Sequence, residues 1–188
     1  MKYGELNLGQ VEAIVNKLGG MNGVHRFLSG ELAVREVGQV IKIDRSQPFD
    51  PVKFLDKGWS IVEEDERSLA LTEVDLTKVR LETMLRDGET NIRGEEHLKM
   101  LKKAGCVRLD AKVFQTLWEN QGLIPESWKE RINGNILNIH FTGTELLRPE
   151  GSRCVLSLYW YYGHWPWNGR WLGRDWNVYD LSVVLVSI

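Results

Sequence analysis

Residues 153–187 read RCVLSLYWYYGHWPWNGRWLGRDWNVYDLSVVLVS, and this stretch contains half of the aromatic residues of the chain. Its tryptophans alternate with short polar residues, arginines and tyrosines. This alternation is typical of a rigid scaffold in which the indoles support the backbone and the residues between them form a contact surface. An antiparallel sheet whose polar residues merely face water would give the same pattern. From the residues alone, both interpretations stay open.

The scaffold interpretation assigns two roles within the stretch. Four tryptophans are predicted to be mostly buried supports: Trp165, Trp167, Trp171 and Trp176. Truncating such a support, as in Trp171→Ala, should then cost about 3–5 kcal/mol. The neighbouring positions are the candidate ligand-binding residues, expected to be exposed and clustered on one face. They are Tyr161, Tyr162, His164, Pro166, Asn168, Gly169, Arg170, Gly173, Arg174, Asn177, Tyr179 and Asp180.

The composition of the 188-residue chain is that of an ordinary globular protein. A net charge of −2 gives no electrostatic signature for nucleic acid or for an anionic membrane. The sequence shows neither an apolar run long enough to span a bilayer nor a signal peptide, so we expect a cytoplasmic protein unless another route exports it. In that compartment Cys106 and Cys154 should be buried thiols instead of a disulfide.

Residues 1–45 are predicted to form a helical N-terminal segment, separate from a domain at 46–188. Apolar residues from Leu8 to Leu18 have helical spacing, and Asn7 is a suitable N-cap. A second short helix should carry Val24 and Phe27 on one face. Two helices around a glycine turn could be a DNA-binding helix-turn-helix, but the second helix has few basic residues. We therefore favour a helical hairpin used for attachment or for homo-oligomerisation.

The domain at 46–188 is predicted to be α+β. Strands are expected at 33–43, 59–62, 68–74 and 79–84, and residues 63–67 should form a solvated acidic turn. Helices should begin near Glu95 and, with Asp110 as N-cap, near residue 111. From Ile136 onward the apolar residues alternate, which predicts strands. The last strand, from Leu181, is apolar on both faces and should lie centrally in its sheet.

Motifs that carry chemistry are not apparent in the sequence. The four histidines share no metal-ligand spacing, and His140 is better explained as a hydrogen-bonded structural residue. Asp175, Asn177 and Asp180 could supply oxygen ligands to Ca²⁺, but the bulky residues between them argue against it. We therefore predict a protein that is not an enzyme and that uses no metal or other cofactor.

The C-terminal stretch resembles the variable region of bacterial proteins diversified by diversity-generating retroelements. The resemblance rests on Leu158-Tyr-Trp160, on Trp165-x-Trp167-x-x-x-Trp171-Leu172-x-x-Asp175-Trp176, and on the closing Val184-Leu185-x-Ser187. In those systems an error-prone reverse transcriptase alters adenines while it copies a template. The residues between the tryptophans are all reachable from an Asn codon, and residues 161–180 contain neither Lys nor Glu.

This resemblance implies a C-type lectin-like fold, in which the first strand of the domain pairs with the last and two helices precede the sheet that carries the variable loops. It also implies a ligand-binding protein that is not an enzyme, with an unidentified protein as the expected partner. A carbohydrate-binding module that stacks exposed Trp and Tyr faces on sugars is the alternative. An enzyme that uses His140 and nearby carboxylates ranks third.

Overall fold

The computed structural model describes residues 7–32 and 40–185. The chain divides into two compact units, Met1–Val37 and Gly38–Ile188. This division falls earlier than the predicted boundary after residue 45, because strand β1 (Val40–Lys42) pairs with β3 (Glu73–Asp75) of the second unit. Most of the strand predicted at 33–43 lies outside the described residues, which include its end as β1.

The N-terminal unit contains the two predicted helices, α1 (Leu8–Lys17) and α2 (Gly20–Leu28). Asn7 begins α1 with a capping box, since its side chain accepts from the Gln10 amide and the Gln10 side chain accepts from the Asn7 amide. Gly19, at φ 88°, makes the turn between the helices. None of the residues Leu8–Lys17 is buried, and Leu8 and Leu28 are exposed. Self-association through this hairpin stays a prediction.

The second unit combines helices with a central sheet, which confirms the α+β class. Its helices are α3 (Pro51–Phe54), α4 (Glu66–Leu69), α5 (Gly94–Ala104) and α6 (Ala111–Glu119). Its remaining strands are β2 (Ser60–Glu64), β4 (Val79–Glu82), β5 (Asn91–Arg93), β6 (Val107–Arg108), β7 (Arg131–Ile132), β8 (Asn135–Ile136), β9 (Asn138–Leu147), β10 (Arg153–Leu158), β11 (Trp167–Trp171), β12 (Asp175–Asn177) and β13 (Asp180–Leu185). Short 3₁₀ turns occur at Leu76–Lys78, Gln121–Leu123 and Glu126–Lys129.

The central sheet has seven strands. Five follow the order β11-β10-β9-β13-β4, while β2 pairs with β9 and β6 pairs with β13. The last strand is central, as predicted. It runs parallel to β9, with Leu181 beside Ile139, and antiparallel to β4, with Val183 beside Leu81. Because neighbouring strands satisfy both of its edges, β13 is almost wholly buried.

One face of the sheet is apolar and forms the main core. Ile139, Phe141, Leu156 and Leu158 belong to this core together with the buried stripe of α6. That stripe is Val113, Phe114 and Leu117, as the helical spacing predicts. The predicted cap also forms, since Asp110 Oδ1 accepts from the amides of Lys112 and Val113 at 2.7 and 3.1 Å. The position of α6 therefore follows from its sequence pattern.

The other face of the sheet is polar although it is buried. His140, Ser157 and Ser182 lie side by side on β9, β10 and β13, and each is fully buried. Helix α5 contacts this face through His97, whose Nε2 lies 2.9 Å from Ser182 Oγ. Trp176 of β12 contacts the same face beside His140. We call this set the polar layer: His97, His140, Thr142, Ser157, Arg170, Asp180 and Ser182.

The acidic segment 63–67 is not the solvated turn that the sequence predicts. Strand β2 continues to Glu64, and α4 begins at Glu66. Asp65 is buried and accepts from the Arg67 side chain at 2.9 Å and from the Arg108 amide at 3.1 Å. Burial alone would raise the pKa of Asp65, but these hydrogen bonds and the two guanidinium groups bring the pKa below its ordinary value. Arg108 is distant in sequence, so the local run of charges gives no indication of it.

Two further expectations change in detail. The strand predicted at 68–74 is divided between the end of α4 and β3. Both cysteines are free thiols, as expected, but Cys154 is buried whereas Cys106 is half-buried. Burial raises the pKa of both thiols, and the Arg148 side chain partly offsets this increase at Cys154. Neither cysteine therefore has the environment of a reactive thiolate.

Candidate functional site

The candidate site is built on the C-terminal segment, which folds as a hairpin followed by a short crossing strand. Strands β10 and β11 pair from Cys154 beside Trp171 to Leu158 beside Trp167. Tyr161 and His164 close the tip of this hairpin through reciprocal backbone hydrogen bonds. After β11 the chain turns into β12, which pairs with β5 and leads into the central strand β13.

Two of the four predicted supports are deeply buried. Trp165 is 2% exposed and its ring lies 5.3 Å from that of Trp160. Trp176 is fully buried, with its ring 4.9 Å from His97 and 4.3 Å from His140. Its indole nitrogen donates to the Trp171 carbonyl at 3.3 Å. The burial predicted for these two residues is confirmed.

Trp167 is an intermediate case. Its ring lies 5.4 Å from Phe54 and 6.3 Å from Phe114, so one side packs on the main core. The indole is nevertheless only partly buried. Trp167 supports the core and also contributes to the surface.

The prediction for Trp171 was wrong, since this side chain is 42% exposed. Trp171 lies at the end of β11, beside the turn to β12, where the indole rests on the protein surface. The Arg174 guanidinium lies 5.4 Å from the centre of its ring, within the range of a cation–π contact. A Cβ at Gly173 would lie 2.9 Å from the indole, so the turn fits closely against it. Trp171 is therefore a partly exposed surface residue and not a buried support.

The candidate ligand-binding residues differ in exposure. Those with exposed side chains are Tyr161, Tyr162, His164, Asn168 and Arg174. Tyr162 is the extreme case at 85%. Those that are half-buried are Pro166, Gly169, Arg170, Gly173, Asn177 and Tyr179. Two half-buried residues contact each other, since Asn177 Nδ2 donates to the Tyr179 hydroxyl at 3.0 Å.

The exposed residues form two patches instead of the single cluster expected. The tip patch consists of Tyr161, Tyr162 and His164 at the closed end of the β10–β11 hairpin. The turn patch consists of the exposed Trp171, Arg174 and Asp175, together with the half-buried Gly173, at the opposite end of β11. Strand β11 alone spans about 13 Å at 3.3 Å per residue, so the patches are well separated. The patches are separate because β11 runs away from the hairpin tip, so residues before the strand lie at one end of it and residues after the strand lie at the other.

Asp180 is a second correction, because it is fully buried and cannot be a display residue. Its carboxylate accepts from Arg170 Nη2 at 2.9 Å, from the Asn177 amide at 2.8 Å and from His140 Nε2 at 3.1 Å. These bonds join β11, β12 and β9 to the start of β13. Arg170, whose side chain is 29% exposed, is held by the same carboxylate. Both residues therefore stabilise the fold of the segment.

Burial determines the protonation of the polar layer. Burial lowers the pKa of His140, which outweighs the opposing effect of Asp180. His140 is therefore neutral at pH 7 and donates Nε2–H to Asp180. Burial also lowers the pKa of His97 to about 3. For Asp180, burial alone would raise the pKa, but the His140 hydrogen bond, the Asn177 amide and Arg170 bring it below the ordinary value.

His140 is a buried histidine that is hydrogen-bonded to Asp180, as expected for a structural residue. Both side chains are fully buried, so a substrate in the surrounding solvent does not contact either one in this conformation. Asp175, Asn177 and Asp180 do not form the calcium site considered above. Asp180 is buried and paired with Arg170, whereas Asp175 is exposed, so the two carboxylates do not share one site. Within residues 7–32 and 40–185, no group of three or more His, Cys, Asp or Glu residues could hold a metal ion.

A cleft of about 960 Å³ adjoins the turn patch. Trp171, Gly173, Arg174 and Asp175 line one side of this turn cleft. The other side includes Arg93 and Glu95, which precede the C-terminal stretch, and Arg153, its first residue. Arg153 donates to Glu95 at 3.0 Å and to the buried Glu145 at 3.1 Å, which fixes its position.

Sequence reasoning missed the second side of the turn cleft. Arg93 and Glu95 lie about eighty residues before the turn and reach it because β5 pairs with β12, with Arg93 beside Asp175. Two-residue and three-residue pairings of this kind leave no periodic signal in a sequence. Arg153 is the first residue of the C-terminal stretch, but no local pattern indicates Arg93 or Glu95.

In the part of the chain that the structure describes, no helix is both long enough and apolar enough to cross a membrane. The cytoplasmic location stays a prediction. No protein-family model, curated protein or solved structure matches this chain.

Proposed function

We propose that this chain is a ligand-binding protein without enzymatic activity, whose C-terminal surface is varied by a diversity-generating retroelement. One observation carries the proposal, which is the division of a single short segment into buried and displayed residues. Trp165, Leu172 and Trp176 are at most 2% exposed, whereas Tyr162 is 85% exposed and Arg174 is also exposed. A segment of this kind can change its outer residues while its inner residues keep the backbone in place.

The topology supports the finer proposal of a C-type lectin-like fold. Strand β4 precedes the helices α5 and α6 and pairs antiparallel with β13, the last described strand. The antiparallel strands β9, β10 and β11 follow the helices and carry the hairpin. From β4 onward this order agrees with the one that the resemblance implies. The pairing of the first strand with the last does not, because β1 pairs with β3 and β2 pairs with β9. The proposal rests on this order and on the residues of the C-terminal stretch.

The ligand is proposed to be a protein because the display surface is wide. The tip patch and the turn patch lie at opposite ends of β11, so a ligand that contacts both must extend along the whole strand. A stable protein interface buries about 800 Å² on each partner, which suits a surface of this extent. Tyrosine and arginine supply much of the contact energy in such interfaces. Both residue types are present here, as Tyr161 and Tyr162 at the tip and Arg174 at the turn.

The structure sharpens the set of positions that should vary. Asn168, Arg174 and the tip patch are exposed and can change with little effect on the core. Asp180 and Arg170 should stay constant, because their carboxylate–guanidinium pair joins β11 to β13. Tyr162 has a left-handed backbone with φ 43°, which favours Asn or Gly among its replacements.

Two matched libraries displayed on yeast test the proposal. The first randomises Tyr161, Tyr162, Asn168 and Arg174, and the second randomises the inward residues Val155, Ser157, Asp180 and Ser182. We expect the first library to keep surface expression and to yield binders against unrelated proteins, while the second loses expression. Loss of expression in the first library would overturn the display role. The neighbouring DNA gives an independent test, since the proposal requires a reverse-transcriptase gene and a near-copy of the tail that differs at adenines.

A further inference from the structure

The second unit contains another groove, which lies apart from the tip patch and the turn cleft. Its volume is about 540 Å³, within the range of roughly 300–1,000 Å³ that is usual for small-molecule sites. Its walls come from the segment 47–54, from helix α6 and from the first residue of β11. We propose that this aromatic groove binds one ring of a neutral saccharide.

Three aromatic rings form the floor of the aromatic groove. Phe54 lies at the centre, with ring centroids 5.4 Å from both Trp118 and Trp167. Phe54 also meets Phe114 of the main core edge to face at 5.8 Å, which fixes its orientation. The three rings are only partly buried, although other indoles of this chain, such as Trp128, are buried. Partly exposed aromatic rings whose orientations are fixed by packing can stack on the C–H face of a pyranose ring.

The rim of the groove is polar and has no net formal charge. Two lysines, Lys53 and Lys112, are balanced by two acids, Asp50 and Glu119. This balance argues against a strongly anionic ligand, such as a phosphate ester, and against a cationic one. A neutral ligand with many hydroxyl groups can use hydrogen-bond donors and acceptors of both kinds.

The polar groups along α6 are already connected. Lys112 Nζ donates to Gln115 Oε1 at 3.4 Å, and Gln115 Nε2 donates to Glu119 Oε1 at 2.7 Å. Since these residues follow one another at helical spacing, they form a row along one face of the helix. Lys112 and Glu119 both line the groove, and each has polar atoms beyond those in these two bonds, namely further ammonium protons on Lys112 and a second carboxylate oxygen on Glu119. Adjacent sugar hydroxyls, which donate and accept in turn, match this arrangement.

The features suited to carbohydrate binding therefore lie in the aromatic groove and not on the exposed residues of the C-terminal stretch. Apart from Trp167, the groove is formed by residues outside the tail, and it does not include the exposed Tyr161, Tyr162 or Trp171. Saccharide binding in the groove does not depend on the proposed diversification of the tail, and either can fail without the other.

Saturation-transfer NMR on the full chain tests the inference, with cellobiose, maltose and N,N′-diacetylchitobiose as probes at millimolar concentration. We expect saturation to reach the protons on one face of a single ring of at least one probe. Trp118→Ala should weaken the affinity for that sugar by about tenfold or more. Because Trp118 also touches the core, Glu119→Ala provides a second variant at an exposed position and should weaken the affinity several-fold.

Trp171→Ala is the matched control, since it removes an exposed indole outside the groove and should leave the affinity for the sugar unchanged. Absence of transfer to every probe in the folded protein would overturn the inference. So would binding that survives both groove variants, or binding that is lost in the control. Sodium benzoate is a further probe, and binding of benzoate without any sugar would assign the groove to aromatic anions and reject the saccharide.

Discussion

Trp171 is the last residue of β11, and Trp176 lies in β12 with four residues between them. Their surroundings are nevertheless opposite. Trp176 is fully buried between two histidines, whereas Trp171 is 42% exposed beneath an arginine. Strand β12 accounts for the difference, because its pairing with β5 places Trp176 against the start of α5. Gly94 makes the fit possible, since a Cβ there would lie 2.7 Å from the indole. Both residues are tryptophans, so the residue type does not explain the difference. Trp176 is buried because its strand, β12, pairs with β5.

The same contrast divides the whole segment into an inner and an outer half. The inner half contacts the polar layer and the core, and includes Asp180, although a charged residue is usually expected outside. The outer half comprises the tip patch, the turn patch and Asn168. Substitutions in the two halves should therefore have effects that differ by several kcal/mol.

The largest effect is expected for Trp176→Ala. The substitution empties a fully buried site between His97 and His140. We expect it to lower the free energy of unfolding by about 3–5 kcal/mol, as measured by urea denaturation. A loss below about 1 kcal/mol would show that the inner half does not support the fold.

Acidification should destabilise the protein through the polar layer. Burial lowers the pKa of His97 from 6.5 to about 3, so the unfolded chain binds more protons than the folded chain between these pH values. Stability is fully present above pH 6.5 and falls as the pH falls through this window, by about 3 kcal/mol at pH 4 for this residue alone.

His140 shifts in the same direction and adds to the loss. Asp180, whose pKa is lowered, loses its stabilising effect only further into the acid range, below its ordinary value. The measurement is the free energy of unfolding at several pH values. His97→Gln should flatten the slope between pH 6.5 and about 4, whatever its effect on absolute stability. An unchanged slope in this variant would exclude His97 as the cause.

Asp180→Ala should cost about 2–3 kcal/mol, because it leaves His140, the Asn177 amide and part of the Arg170 side chain without their acceptor. Thermal unfolding measures the loss. The exposed Asp175, whose side chain lies 3.9 Å from Arg93 at the surface, provides the matched control. Asp175→Ala should change stability by less than about 1 kcal/mol. Equal effects of the two variants would contradict the assignment of Asp180 to the inner half.

Trp171→Ala should cost about 1–2 kcal/mol, because only part of the indole is buried, in contrast to the 3–5 kcal/mol expected from the sequence. Its indole is partly in solvent already, and it lies against the Arg174 guanidinium and the turn at Gly173. Urea denaturation of Trp171→Ala and Trp176→Ala under the same conditions compares the free energies of unfolding of the two variants directly. Similar losses for both variants would remove the distinction between the inner and outer halves.

The smallest effect is expected for the double variant Asn168→Ser, Arg174→Ser. Both side chains are exposed, and substitutions of this kind usually change stability by less than about 0.5 kcal/mol at each position. The melting temperature should therefore stay close to that of the parent chain. A collapsed melting transition would show that these residues hold the hairpin together.

Much of the architecture follows from local patterns in the sequence. The Asp110 cap and the stripe on α6, the Asn7 cap on α1 and the central position of β13 depend on neighbouring residues or on uniform apolarity. Such features are encoded within a few helical turns or one strand, which is the range over which periodicity can be recognised.

The features that the sequence did not reveal depend on partners distant in the chain. Asp65 is buried because Arg108 reaches it, and Asp180 is buried because His140 and Arg170 do. The turn cleft combines Arg93 with Asp175 through a three-residue strand pair. Charge and size at one position carry no information about such partners, so the burial of Asp65 and Asp180 cannot be predicted from the sequence.

The central place of β13 has a consequence for synthesis of the protein on the ribosome. Strand β13 lies between β9 and β4, so these two strands cannot be joined until residues 180–185 have emerged. A nascent chain that stops anywhere in the hairpin lacks the strand that holds the sheet together, and leaves part of the edge of β9 unpaired and open to proteases and chaperones. Premature stop codons within the aromatic stretch would thus yield products that are degraded, and full-length variants alone would accumulate.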